Sequence, residues 1–128
     1  MTASRGILIL VLSAAGCGGG GPSADSPLMM TCDIRNNAGA AAHGECQEWR
    51  GDVAAETNKD VNFDTLCTST LSGAVNNGTC PEGSVVGECL ETPSVAERVV
   101  IHFYYPPDFD ASSAEAACNS EGGAFTAK

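Results

Sequence analysis

Arg98-Val-Val-Ile-His-Phe-Tyr-Tyr105 is the stretch on which the fold turns. β-Branched and aromatic residues fill it, and such side chains suit the pleated, half-buried surface of a strand. Pro106-Pro107 closes it, because proline has no amide proton to give to a ladder. Period-two alternation sets Val99, Ile101, Phe103 and Tyr105 on one face and Val100, His102 and Tyr104 on the other. The first set is expected to face the core.

On the upstream side, Val85-Val-Gly-Glu-Cys-Leu90 reads as a short strand and Glu91-Thr-Pro-Ser94 as the turn after it. On the downstream side, Asp110 to Cys118 opens a helix. Ser112 and Glu115 have capping-box spacing, Ala114, Ala117 and Cys118 form a buried stripe, and Gly122-Gly123 supplies a left-handed stop. Residues 44–78 carry a parallel pattern. Gly44-Glu-Cys-Gln-Glu-Trp49 is a strand, Asp52 to Ala55 its partner, and Asp64 caps a helix that begins Asp64-Thr-Leu-Cys67. Cys67, Leu71 and Ala74 share a helical face, and Asn76-Asn77-Gly78 is a turn.

These halves suggest an internal repeat. Gly44-Glu45-Cys46 recurs as Gly87-Glu88-Cys89, Cys67 and Cys118 each stand on a candidate helix, and Gly73-Ala74-Val75 answers Gly123-Ala124-Phe125. The expected fold is α+β: a small disulfide-rich domain over 32–128, built of two repeated units, about 32–79 and 80–128, each a short β-hairpin plus a short helix.

Cys32, Cys46, Cys67, Cys80, Cys89 and Cys118 are assigned to disulfides. Six cysteines allow fifteen connectivities, and three per unit force at least one bridge between units. One repeat-symmetric scheme is Cys46–Cys67 and Cys89–Cys118 with Cys32–Cys80 across. Another is Cys32–Cys46, Cys80–Cys89 and Cys67–Cys118. Metal binding by the cysteines is disfavoured, since no Cys-x-x-Cys occurs and the gaps of 13, 20, 12, 8 and 28 residues lack close pairs.

Residues 1–16 carry Arg5, the apolar run Ile7 to Leu12 and the small residues Ser13 to Gly16, the layout of a secretory signal peptide. The apolar run is far short of the roughly 20 residues that span a bilayer. Ala14-Ala15-Gly16-Cys17 resembles the lipobox of bacterial lipoproteins, although Ala14 stands where that family usually has Leu or Val. The resemblance implies cleavage before Cys17, acylation of Cys17 (palmitate among its chains) and attachment to the bacterial cell envelope through lipid. Parity agrees, because seven cysteines less Cys17 leave six. Residues 17–31, with Gly18 to Gly21, Pro22 and Pro27, read as the lipidated tether, and packing is expected to start near Leu28-Met-Met30.

Sixteen acidic residues stand against six Lys plus Arg, and the basic residues are scattered, which excludes nucleic acid as a partner. No catalytic motif, cofactor motif or metal site is found. His43 and His102 are the two histidines, with His102 read as a surface or cross-strand residue. Asp60-Val-Asn-Phe-Asp64 opens like a calcium loop, but Thr65 and Leu71 occupy the positions that need Gly and Glu. Asp108 and Asp110 read as turn and helix-entry residues. Trp49, Tyr104 and Tyr105 are the candidate binding surface for a protein or glycan partner, although in a domain with so few aromatics a core place for some of them is the stronger reading.

The expected role is therefore a non-enzymatic binding or envelope-structural module. An inhibitor or toxin-like scaffold acting through Glu91–Glu97 or Tyr105–Asp110 is the alternative. An enzyme would need a cleft gathering His102 with carboxylates.

Overall fold

The computed structural model of the chain describes residues 22–36, 44–51, 63–92 and 98–128. The strand expected at Arg98 forms over Arg98–Tyr104 and lies inside a six-stranded antiparallel sheet. In chain order the strands are β1 (Leu28–Asp33), β2 (Glu45–Gly51), β3 (Ala74–Asn76), β4 (Gly87–Glu91), β5 (Arg98–Tyr104) and β6 (Ala124–Ala127). Their spatial order is β3-β1-β2-β5-β4-β6. Helix α1 (Phe63–Thr65) continues as a π-helical turn over Leu66–Thr70, and α2 spans Ala111–Ser120. The small disulfide-rich domain is present, but sheet dominates it, and the hairpin-plus-helix description is corrected accordingly.

Several local expectations are also corrected. Strand β1 starts at Leu28, so residues 28–31 of the stretch read as tether pair with β2. Asp64 lies within α1 and does not precede it. Ala74 belongs to β3 and not to a helical face shared with Cys67 and Leu71. The cap of α2 is Asp110, whose carboxylate accepts from the Ser113 amide at 2.7 Å while the Ser113 hydroxyl accepts from the Asp110 amide at 3.0 Å. An aspartate in extended backbone one residue before the helix performs this reciprocal capping better than Ser112 inside it. Gly122, at φ +75°, is the left-handed stop, as expected. The segment Asp52–Ala55 lies outside the described residues.

Both faces of the sheet are covered. Helix α2 and the π-helical turn pack on one face, where Met30, Cys32, Trp49, Val100, Tyr104 and Cys89 point. The chain between β3 and β4 crosses the other. There the Thr31 hydroxyl donates to the Gly78 carbonyl, the Cys80 amide to Glu48, and the Tyr105 hydroxyl to the Pro81 carbonyl. Strand β5 is consequently buried on both sides, with Val99 and Tyr104 each 1 % exposed. The set expected to face the core, Val99, Ile101, Phe103 and Tyr105, is buried, and the opposite set, Val100, His102 and Tyr104, is buried as well.

The bridges are Cys32–Cys67, Cys46–Cys80 and Cys89–Cys118. Of the first scheme only Cys89–Cys118 forms, and of the second none. Sheet register explains why. Cys32 lies opposite Gln47 and Cys46 opposite Asp33, so Cys32 and Cys46 project from opposite faces. Cys32 meets the helical turn, while Cys46 meets the segment crossing behind. Each bridge closes a loop of about 30–35 residues, and the chain-entropy relation assigns such a loop about 4 kcal/mol.

Two glycines sit against these bridges. A Cβ at Gly73 would lie 2.6 Å from Cys32 Sγ, and one at Gly123 would lie 2.3 Å from Cys89 Sγ. Each glycine donates its amide to the carbonyl of the helical cysteine, Cys67 or Cys118. The residue before each is left-handed: Ser72 at φ +54° and Gly122 at φ +75°.

Partial reduction with peptide mapping is expected to recover the three bridges named above. Gly73→Ala and Gly123→Ala should each lower stability by about 1–3 kcal/mol, because neither sulfur nor backbone can yield. Gly83→Ala, with nothing within 4 Å of its Cβ, should change it by less than about 0.5 kcal/mol. Ser72→Gly should raise stability by about 1 kcal/mol by relieving the left-handed side chain. Denaturant titration without reductant measures all four.

Candidate functional site

His102 stands at the middle of β5, on the face that carries the helices, and is 3 % exposed. Its cross-strand neighbours are Gln47 on β2 and Cys89 on β4. Strand parity brings two carboxylates to the same face: Glu45, two residues before Gln47, and Glu91, two residues after Cys89. A third, Glu121, follows α2, whose packing against β4 delivers it over the ring.

The imidazole is gripped at both nitrogens. Nδ1 lies 2.5 Å from Glu45 Oε1, Nε2 lies 3.0 Å from Glu91 Oε2, and Glu121 Oε2 stands 3.6 Å from Nδ1. Behind Glu45 the network continues: the Gln47 amide donates to Glu45 at 2.8 Å, and the Trp49 indole N–H donates to Gln47 at 3.1 Å. Tyr104 is the next residue of β5 on this face, its ring 6.3 Å from that of His102. Its hydroxyl is fully buried and has no hydrogen-bond partner.

Burial alone would push the imidazole down, since a charged ring loses water there. The hydrogen bond and charge of Glu45, with Glu121 and Glu91, outweigh that and raise it to about 9. The Glu121 carboxyl is raised by its own burial and by Glu45 and Glu91, against the opposing pull of His102. Tyr104 is raised as well, by burial first and then by Glu121, Glu45 and Glu91. At neutral pH His102 is therefore an imidazolium. It carries one positive charge among three acidic groups.

A cleft of about 270 Å³ adjoins the cluster, lined by Gln47, Trp49, Leu66, Arg98, Val100 and His102 among others. The Arg98 guanidinium lies 4.4 Å from the Phe63 ring centroid and 5.6 Å from that of Trp49, a cation–π arrangement at the cleft wall.

The expected binding surface is corrected. Trp49, Tyr104 and Tyr105 are all buried, and Tyr105 projects from the opposite face to the other two. A two-sided sheet leaves its central aromatics no route to solvent. Trp49 contributes to the cleft wall only. His102 is cross-strand as expected, but it is not a surface residue. Of the two candidate loops, residues 93–97 lie outside the described residues. Tyr105–Asp110 is a tight turn in which the Phe109 amide donates to the Tyr105 carbonyl at 3.1 Å and Phe109 packs against Tyr104. Cys17, His43 and Asp60 also lie outside the described residues.

Sequence reasoning passed over Glu45, Glu91 and Glu121. Parity was a usable signal for two of them, because Glu45 shares its face with Trp49, and Glu91 with Cys89. Nothing local marks Glu121, which reaches His102 only through tertiary packing.

No protein-family model matches the chain, and neither curated proteins nor solved structures show significant similarity to it.

The raised imidazole has a linkage consequence. The folded state holds the His102 proton up to about pH 9, whereas the unfolded chain releases it near 6.5. The associated stability is thus complete below about pH 6.5 and is lost as pH rises to about 9, by on the order of 3 kcal/mol. Glu121, also raised, acts in the same sense at lower pH. Denaturant midpoints of chelator-treated protein should fall across pH 6.5–9, and His102→Gln should flatten that limb.

Proposed function

We propose that the chain is an exported bacterial lipoprotein, anchored in an envelope membrane through acylated Cys17, whose stapled domain is a non-enzymatic binding module. The carrying observation is cysteine parity. Of seven cysteines, the six from Cys32 to Cys118 pair with one another in three bridges, so that Cys17 is not needed for a disulfide of the domain. Bridges of this number suit an oxidising compartment. No helix among the described residues is long and apolar enough to cross a membrane, and lipid on Cys17 would supply the attachment.

The binding reading rests on the cleft beside Trp49 and Arg98, a concave site with apolar walls and a few charged groups. His102 does stand among carboxylates, the arrangement that an enzyme would need. Its imidazole, however, is protonated at neutral pH and engaged at both nitrogens, which makes it a poor general base. The partner is a protein or glycan, and the acidic surplus disfavours nucleic acid.

The repeat belongs to the same proposal, in a new alignment. Segments β1–β2–helix–β3 and β4–β5–α2–β6 occupy the two halves of the sheet in mirrored order. Cys32 lies between Gln47 and Val75 as Cys89 lies between His102 and Phe125, so the registers match position by position. This supports descent from a duplicated unit with Cys32 equivalent to Cys89, Cys67 to Cys118 and Gly73 to Gly123. The Gly44-Glu-Cys46 and Gly87-Glu-Cys89 match does not survive that alignment, because Cys46 points to the other face.

Expressed in a bacterial host, the mature chain should begin at Cys17, carry acyl mass on that residue, and partition into the membrane fraction. Cys17→Ser should abolish both while leaving the three bridges intact. An unmodified, water-soluble Cys17 in the wild-type mature chain would overturn the reading.

A further inference from the structure

We propose that Glu91, His102 and Glu121 form a binding site for a divalent transition-metal ion of the zinc type. The three residues can each present one donor atom within 4.8 Å of the others. That separation lets one small ion reach all three after modest side-chain rotation, since zinc binds imidazole nitrogen and carboxylate oxygen at about 2.0–2.2 Å. The two carboxylates sit at the mouth of the cluster, with side chains 31 % and 40 % exposed, and are free to close on an ion.

The acidic grouping would not suffice alone. A second observation comes from Tyr104, a residue 1 % exposed whose hydroxyl has no partner. The hydroxyl is turned toward Glu121, one of the three residues of the site, without completing a hydrogen bond of ordinary geometry. A buried hydroxyl left without a hydrogen bond is unfavourable by about 1–3 kcal/mol. An ion with its bound water beside Glu121 would give that hydroxyl an acceptor or a donor.

The support of the ring points the same way. Glu45 holds Nδ1 at 2.5 Å and is itself held by Gln47. Metal-bound histidines usually give their second N–H to a carboxylate, which fixes the tautomer and the ring orientation. With Nδ1–H committed to Glu45, Nε2 is the nitrogen left to ligate; Glu91 already stands beside it, and Glu121, now 3.6 Å from Nδ1, has to swing along the ring edge to share the ion. A mixed nitrogen and oxygen donor set favours zinc-type ions over calcium or magnesium, which take oxygen ligands. Three protein ligands also leave a coordination position for water or for a ligand in the adjoining cleft.

This site stands apart from the anchor, and its test uses the complete mature chain in detergent, stripped with chelator and titrated calorimetrically with zinc chloride at neutral pH. About one ion per chain is expected, with magnesium and calcium bound far more weakly. Glu91→Gln and Glu121→Gln, both partly exposed and not needed for the core, should each weaken zinc binding about tenfold or more. Glu45→Gln should weaken it by a similar factor through the ring, and Glu115→Gln on the exposed side of α2 should leave it unchanged. Nitrogen NMR should show zinc on Nε2 of His102 with the Nδ1 proton retained. The proposal is overturned if zinc does not saturate near one equivalent, or if Glu91→Gln and Glu121→Gln bind it as the parent does.

Discussion

The seven-pair ladder between β2 and β5, from Glu45 opposite Tyr104 to Gly51 opposite Arg98, is the contact on which the rest depends. Each half of the chain supplies three strands, too few to cover themselves and marginal on their own. Joining them edge to edge makes one sheet wide enough to take a helical layer on one face and the 77–85 crossing on the other. The same junction forces chemistry inward. Once both faces are covered, the polar residues of the central strands have no water, and Glu45, Gln47, Glu48 and His102 must find partners within the protein.

They do so in two different ways. On the crossing face, Glu48 takes Arg50 at 2.6 Å and the Cys80 amide at 2.7 Å, so one carboxylate meets one guanidinium and one N–H. That network is balanced and rigid, a structural device beside the Cys46–Cys80 bridge. On the helix face the imidazolium of His102 meets three carboxylates, and Tyr104 ends without a partner. The contrast between the two networks, in one sheet and of similar burial, is why the proposed site is placed on the helix face.

How much of this was legible in the sequence follows from the range of the forces involved. Strand β5, the helix ending at Gly122 and the Gly73/Gly123 correspondence were visible because β-propensity, left-handed backbone and spacing are local. Of the bridges, Cys89–Cys118 and the need for one link between the halves were visible, but the partners of Cys32 and Cys46 were not, because pairing depends on which face a cysteine occupies. Register sends Cys32 and Cys46 to opposite sides, and no spacing rule reveals that. The aromatic surface failed for a related reason. Alternation assigns residues to faces but does not say that both faces are covered; the scarcity of aromatics favoured a core place for some of Trp49, Tyr104 and Tyr105, and all three are buried. Within the cluster, Glu45 and Glu91 were within reach of parity, while Glu121 depended on how α2 docks.

The symmetry of the sheet sharpens where that cluster sits. Gln47 and His102 occupy matching places, each beside the half's own strand cysteine, and they are also direct partners across the β2–β5 junction. The centre of the pseudo-symmetric sheet thus holds a neutral amide on one side and a titratable ring on the other. A buried ring among three carboxylates carries a desolvation cost that offsets part of the attraction, and what remains depends on pH. A domain with so few large apolar residues tolerates it because three bridges, at about 4 kcal/mol each, constrain the unfolded chain independently of the core. The staples therefore do more than hold a small fold together: they let its central seam carry buried charge, with His102 on one side of the junction and the neutral Gln47 on the other.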